Sequence, residues 1–273
     1  MLRGLVTQSK LRNRASCVLL SLAGLVGWDA AAPKAAWAQG PPAAVPPAPP
    51  AAQWEELERR ILYQPRKYQA ADIDAFQKSG GKRLDYKTEQ GKQTAWLVPQ
   101  AKGATPERLW VFCGGNGMLA LDWLPLCKGL PFTSDAYLLV DYPGYGECGG
   151  APSPQTIRDN VKLSVAAAAK QVGIDPAKHP EAICVFGHSL GCAAALMAVE
   201  EFHLRSAVLC APFTSTAEVA QAKLGLPKGF PLQHNFDNRP GLTDIGKNKG
   251  HAWIFHGDQD EVLPVDMSQT LAK

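Results

Sequence analysis

Residues 184–197 read CVFGHSLGCAAALM, and a change of character inside this stretch decides the fold. Before Gly187 lies an unbroken apolar run, the pattern of a strand buried on both faces. After Gly191 an alanine-rich run begins at once, with no proline or polar cluster to delay a helix. Strand and helix must join through Gly187-His188-Ser189-Leu190-Gly191, which fits G-x-S-x-G. A turn this tight crowds the serine backbone into a strained conformation. A Cβ at 187 or 191 is expected to collide with the neighbouring strand or helix. Ser189 is thereby held at the sheet edge, near the first amides of the helix. A hydroxyl so placed is a candidate nucleophile if a base takes its proton as it attacks.

The same alternation extends outward. Apolar runs at RLWVFC (108–113), AYLLVDY (136–142), AICVFG (182–187), AVLCAP (207–212) and AWIFHG (252–257) are separated by helix-like stretches. Those helices are GMLALDWLPLC (117–127), SPQTIRDNVKLSVAAAAKQVG (153–173) and LGCAAALMAVEEF (190–202); Ser153 caps the second, with Pro154 in its first turn. The pattern predicts an α/β fold, a mostly parallel sheet with helices on both faces. Upstream, RLDYKTEQGKQTAWLVP (83–99) alternates on either side of EQGK, an antiparallel hairpin with Gly91 in its turn. WEELERRIL (54–62) puts Trp54, Leu57 and Ile61 on one face of an amphipathic opening helix. Gln221–Gly250, rich in Gly, Pro, Asn and Lys, is expected to hang over the carboxyl ends of the strands as a short lid.

The first 38 residues look like an export address. Arg3, Lys10, Arg12 and Arg14 precede the apolar run ASCVLLSLAGLVGW (15–28), and Ala36-Trp37-Ala38 offers small residues around a cleavage point. Asp29, Pro33 and Lys34 interrupt the run before it could span a bilayer, so no stable membrane span is expected after cleavage. The expected location is periplasmic or extracellular. Residues 39–52 are mostly Pro and Ala, an extended tether, and 53–273 form the folded domain. The chain carries 28 Lys+Arg and 25 Asp+Glu, and removal of the leader leaves 23 against 24. A near-neutral balance gives no reason to expect nucleic acid or an anionic membrane as partner. Six cysteines follow the leader, at positions 113, 127, 148, 184, 192 and 210, without zinc spacing. Several lie in apolar runs and read as buried thiols; Cys127 with Cys148 is the first pair to test for a disulfide.

Several stretches in order resemble the α/β-hydrolase superfamily over nearly all of 54–273. They are the hairpin, WVFCGGNGM (110–118), LLVDYPGYGECGG (138–150), GHSLG (187–191) and FHGDQDEVLP (255–264). The resemblance implies Ser189 as nucleophile and Asp260 as catalytic acid, with Asp258 its nearby competitor. It implies an oxyanion hole from the amides of Leu190 and Asn116, or Gly115, because Gly114 stands where many members carry histidine. The implied activity is cleavage of an ester or amide bond in a small-molecule acyl substrate, with no cofactor and no metal. The family order is nucleophile, acid, histidine. Only thirteen residues follow Asp260, and none is histidine. The expectation is therefore an incomplete hydrolase, its last strand and helix missing, inactive or nearly so. Of the six histidines, His179, His203 and His251 fall at the wrong places, His188 should point away from Ser189, and His256 reads as structural. His234, in the lid segment, is the one that could swing over Ser189. A non-catalytic relative binding a ligand or envelope partner is the alternative, and acyl transfer on the same serine a third reading.

Overall fold

The computed structural model describes residues 51–99, 105–132 and 134–273. The expected leader and the Pro/Ala stretch up to residue 50 lie outside the described residues. The chain enters through helices Ala51–Leu62 (α1) and Ala70–Lys78 (α2), then folds Lys82–Thr88 (β1) onto Gly91–Pro99 (β2). The hairpin closes at Gly91, whose φ of 91° suits only glycine at low cost.

From there strands and helices alternate as the apolar runs foretell. Leu109–Cys113 (β3) leads through a short 3-10 turn into Leu124–Gly129 (α3) and Ala136–Val140 (β4). Pro154–Val172 (α4) and Ile183–His188 (β5) follow, then Leu190–Phe202 (α5) and Ser206–Cys210 (β6). Thr216–Leu224 (α6), Arg239–Lys247 (α7), His251–Phe255 (β7) and Val265–Leu271 (α8) complete the described order. The sheet order is β1-β2-β4-β3-β5-β6-β7. β2 runs antiparallel to both β1 and β4, and every later pairing is parallel. Crossing helices therefore cover both faces, as the parallel part requires. On one face Val111, Leu138, Val185 and Leu209 pack with Ile157 and Val161 of α4 and Leu196 of α5. On the other, Trp96, Phe112, Tyr137 and Phe186 pack with Phe76 of α2 and Trp123.

Local sequence sets the helix ends. The Ser153 hydroxyl accepts from the Thr156 amide at 3.1 Å, and Gly173 closes α4 in the left-handed conformation at φ 79°. The irregular part of 221–250 narrows to 225–238. Beyond it, Leu242 and Ile245 of α7 are buried, and Gly241 meets Leu196 of α5 so closely that a Cβ there would lie 2.7 Å from the Leu196 Cβ.

Two expectations are corrected. α1 does not dock through Leu57 and Ile61, which stay 42% and 52% exposed. It docks through Trp54, edge-on to Phe230 at 4.9 Å, and through the buried Glu58 carboxylate. That carboxylate accepts from the amides of Gln233 (3.1 Å) and His234 (2.7 Å), which the irregular loop cannot satisfy by itself. Apolar periodicity cannot reveal such a contact. Glu58→Ala is expected to cost about 2 kcal/mol and to speed protease cleavage within 225–238; thermal unfolding and limited proteolysis read both. The second correction concerns sulfur: Cys127 and Cys148 form no disulfide, and none joins any of the six described cysteines. Cys148 instead sits against the Thr94 backbone, its Sγ 3.4 Å from the nitrogen and 3.3 Å from the oxygen.

Candidate functional site

The β5–α5 junction has the geometry its glycines suggest. Ser189 has φ 53° and ψ −120°, a region costly for any residue with a Cβ. Its amide donates to the Cys210 carbonyl of β6 at 2.9 Å, and its carbonyl accepts from the Cys192 amide at 2.9 Å, so the strain is held from both sides. A Cβ on Gly187 would lie 2.5 Å from the Cys192 Cα, and one on Gly191 would lie 2.1 Å from the Cys113 carbonyl oxygen. The start of α5 is thus pressed onto the end of β3. Leu190 is the first residue of α5, at the end where helix amides lack intrahelical acceptors and the dipole is positive.

The loop after β3 carries Gly115 and Asn116 to the same place. The His188 ring lies against Gly115, with Nδ1 3.1 Å from where a Cβ would be. The Trp123 ring meets it at 6.3 Å between centroids. Burial lowers the pKa of His188, and the negative charge of Asp260 opposes that shift. His188 therefore packs against the loop after β3.

Asp260 sits in the loop after β7, with its side chain 11% exposed. Its Oδ1 accepts from the amides of Val262 and Leu263 at 2.8 Å each, and its Oδ2 lies 3.3 Å from His256 Nε2. Burial pushes this carboxyl up, but the hydrogen bonds from His256 and the two amides outweigh it and hold the pKa below the usual range. Asp258 is exposed. Among the described residues no hydrogen bond joins Asp260 to Ser189, and no histidine is hydrogen-bonded to the Ser189 hydroxyl.

The histidines have other occupations. His256 is buried between Ser268 Oγ and the Leu263 carbonyl. His234, the proposed swinging base, is 1% exposed and bonded through Nδ1 to the Tyr63 hydroxyl at 3.0 Å. His179 pairs with Glu181, His203 with Asp244, and His251 packs beside Trp253. Among the described residues no cluster of three His, Cys, Asp or Glu side chains could hold a metal ion.

The strand-turn-helix about Ser189, the sheet order and the loops after β3 and β7 point to one family, and a sequence model described as "Alpha/beta hydrolase family" matches residues 110–270. The chain belongs to the alpha/beta hydrolase family. An uncharacterized protein of Mycobacterium tuberculosis is 27% identical over 220 residues, covering 80% of this chain and 75% of the relative. An alpha-beta hydrolase from Vibrio vulnificus superposes with a TM-score of 0.62 at 18% identity, over 86% of this chain and 87% of that one. A Pyrococcus furiosus esterase gives a TM-score of 0.50 at 16% identity, covering 77% and 82%. At these identities the structural likenesses speak to the alpha/beta hydrolase fold.

What the sequence missed lies beneath the site. Asp141, Tyr142 and Tyr145 stand in a recognisable stretch, yet nothing in it tells which groups they hold. Their partners include Trp96, Ala120, Gly114 and Asn116, between 21 and 45 residues away in sequence.

Proposed function

We propose that this chain is a serine hydrolase of ester or amide bonds that forms an acyl-enzyme on Ser189. The observation that carries the reading is the strained Ser189, φ 53°, at the first turn of α5 and beside the Gly115–Asn116 loop. Its Oγ attacks the substrate carbonyl carbon and passes its proton to a general base or to solvent water, while the amides of Leu190 and Asn116, or Gly115, hold the oxyanion. Collapse of the intermediate expels the alcohol or amine, which takes a proton, and water then releases the acid. Asp260, ionised and fixed by two amides, serves as the acid partner of a base. The esterase named among the structural neighbours supports the ester class by fold alone.

Among the described histidines, His234 and His256 are engaged elsewhere, on the Tyr63 hydroxyl and on Ser268 with the Leu263 carbonyl. Removing the histidine from such a triad costs on the order of 10⁶ in turnover. Oxyanion donors and binding would still leave roughly 10³–10⁴ over water. We further propose export to the periplasm or beyond, supported by the basic, apolar and small-residue order of 1–38.

The test is covalent labelling of the full chain by a fluorophosphonate, read by mass spectrometry. Slow formation of an adduct on Ser189, absent in Ser189→Ala, is the expected result. A wild-type chain labelled no more than Ser189→Ala would remove the hydrolase reading. It would favour a non-catalytic binder instead.

A further inference from the structure

The stretch Asp141-Tyr142-Pro143-Gly144-Tyr145-Gly146 follows β4 and runs beneath the Gly114–Gly117 loop. The Tyr142 hydroxyl donates to the Gly114 carbonyl at 2.7 Å, and the Tyr145 hydroxyl donates to the Asn116 carbonyl. The Asn116 carbonyl also accepts from the Gln64 amide at 3.1 Å, and that amide lies 2.9 Å from the Tyr145 oxygen. Between them, the Gly115 carbonyl accepts from the Met118 amide at 3.2 Å. Three successive carbonyls are thus pinned by named donors. Both tyrosine rings are buried and meet edge-to-face at 5.6 Å, so their hydroxyls have little freedom.

Pinning a carbonyl also aims an amide. In a trans peptide the C=O and the following N–H point in opposite directions, and the described chain has no cis peptide bond. Fixing the Gly114 carbonyl on Tyr142 turns the Gly115 N–H away from that ring. Fixing the Gly115 carbonyl on Met118 does the same for the Asn116 N–H. Among the described residues neither of these amides has an acceptor. They are donors held in place and unused, beside the elbow that carries Ser189.

We infer that Tyr142 is a positioning residue for the oxyanion site, acting through the Gly114 carbonyl, and that Tyr145 steadies the same loop from its far side through the Asn116 carbonyl. The inference rests on the reading of Ser189 as nucleophile. Tyr142→Phe keeps the ring and frees the Gly114 carbonyl, which can then rotate and carry the Gly115 amide off its line; Tyr145→Phe leaves the Asn116 carbonyl on the Gln64 amide alone and loosens the loop on the other side of Asn116. Donors that must meet a developing charge tolerate little misdirection.

The experiment compares Tyr142→Phe and Tyr145→Phe with wild type in the rate of fluorophosphonate labelling at Ser189. Probe concentration is varied to separate the saturating rate from half-saturation. Tyr86→Phe is the control: it removes a comparable hydrogen bond, Tyr86 hydroxyl to Asn160 Oδ1 at 2.8 Å, without touching the oxyanion loop. Each clamp variant is expected to lower the saturating rate about ten-fold, with half-saturation unchanged and Tyr86→Phe at the wild-type rate. Should one clamp variant fail to fold, the other carries the same reading. Clamp variants within two-fold of wild type, or an equal loss in Tyr86→Phe, overturn the inference while Ser189 stands. A wild type that gives no Ser189 adduct overturns the nucleophile and the clamp together.

Discussion

Gly191→Ala is expected to remove most of the folded, probe-reactive protein. The added Cβ would stand 2.1 Å from the Cys113 oxygen, 2.5 Å from its carbonyl carbon and 2.6 Å from the Gly114 oxygen. All three atoms are backbone, and β3 cannot yield because it is paired on both sides, with β4 and β5. Helix α5 must therefore lift from the sheet, although its residues 190–199 are buried along their whole length. Ordinary overpacking costs about 1–3 kcal/mol, where side chains can shift. Here nothing flexible is available, and a loss of about 4 kcal/mol or more follows. For a domain of this size that lowers Tm by about 10 °C. Gly115 offers the contrast, because the nearest atom to its Cβ would be on the His188 ring, at 3.1 Å, and the nearest backbone atom, the His188 oxygen, would lie at an ordinary 3.7 Å. Thermal unfolding followed by circular dichroism, with labelling of Ser189, reads the outcome. A Gly191→Ala protein that melts within about 2 °C of wild type would show that α5 and β3 do not approach as described.

The same glycine explains why so much of this architecture was legible. Patterns whose partners lie a few residues away survive in sequence: the apolar run, the sharp turn, the alanine helix, the Ser153 cap and the Gly91 hairpin. Each is a local consequence of sterics or backbone hydrogen bonding. α1 failed this reading because its docking group is a carboxylate whose acceptor role is set by amides at 233 and 234. Cys148 failed it because a thiol held by the Thr94 backbone leaves no trace in cysteine spacing. Helix α2 was not foreseen, since Phe76 is its single buried side chain and offers no repeat to count. In the site, Ser189 and the loop of Asp260 announce themselves through neighbours. The hydroxyls of Tyr142 and Tyr145 reach carbonyls 28 and 29 residues away, a pairing that no local pattern announces.

The buried carboxylate of Asp141 is the second place where a single change should be costly. Its Oδ1 accepts from the Ala120 amide at 2.8 Å; its Oδ2 accepts from Trp96 Nε1 at 2.9 Å and from the Tyr68 hydroxyl at 2.8 Å. Its own carbonyl takes the Asn160 amide group at 2.7 Å. Asp141→Ala leaves buried donors without an acceptor, and a loss of about 3 kcal/mol is expected near pH 5. The size of the loss should depend on pH in a definite sense. Burial raises this carboxyl from 3.8 to about 6, against the pull of its three donors. The folded protein thus holds a proton between about pH 4 and 6 that the unfolded chain has released. Stability from this group is fully present below the unfolded pKa and is lost as pH rises through about 6. Alanine does not titrate, so the gap between wild type and Asp141→Ala should narrow by about 1 kcal/mol from pH 5 to pH 7.5. Urea unfolding of both proteins across that range reads it directly. A gap that widens with pH would mean that the three donors outweigh burial and hold Asp141 ionised throughout. Because Tyr142 follows Asp141 directly, Asp141→Ala should also slow Ser189 labelling at temperatures where the variant is still folded.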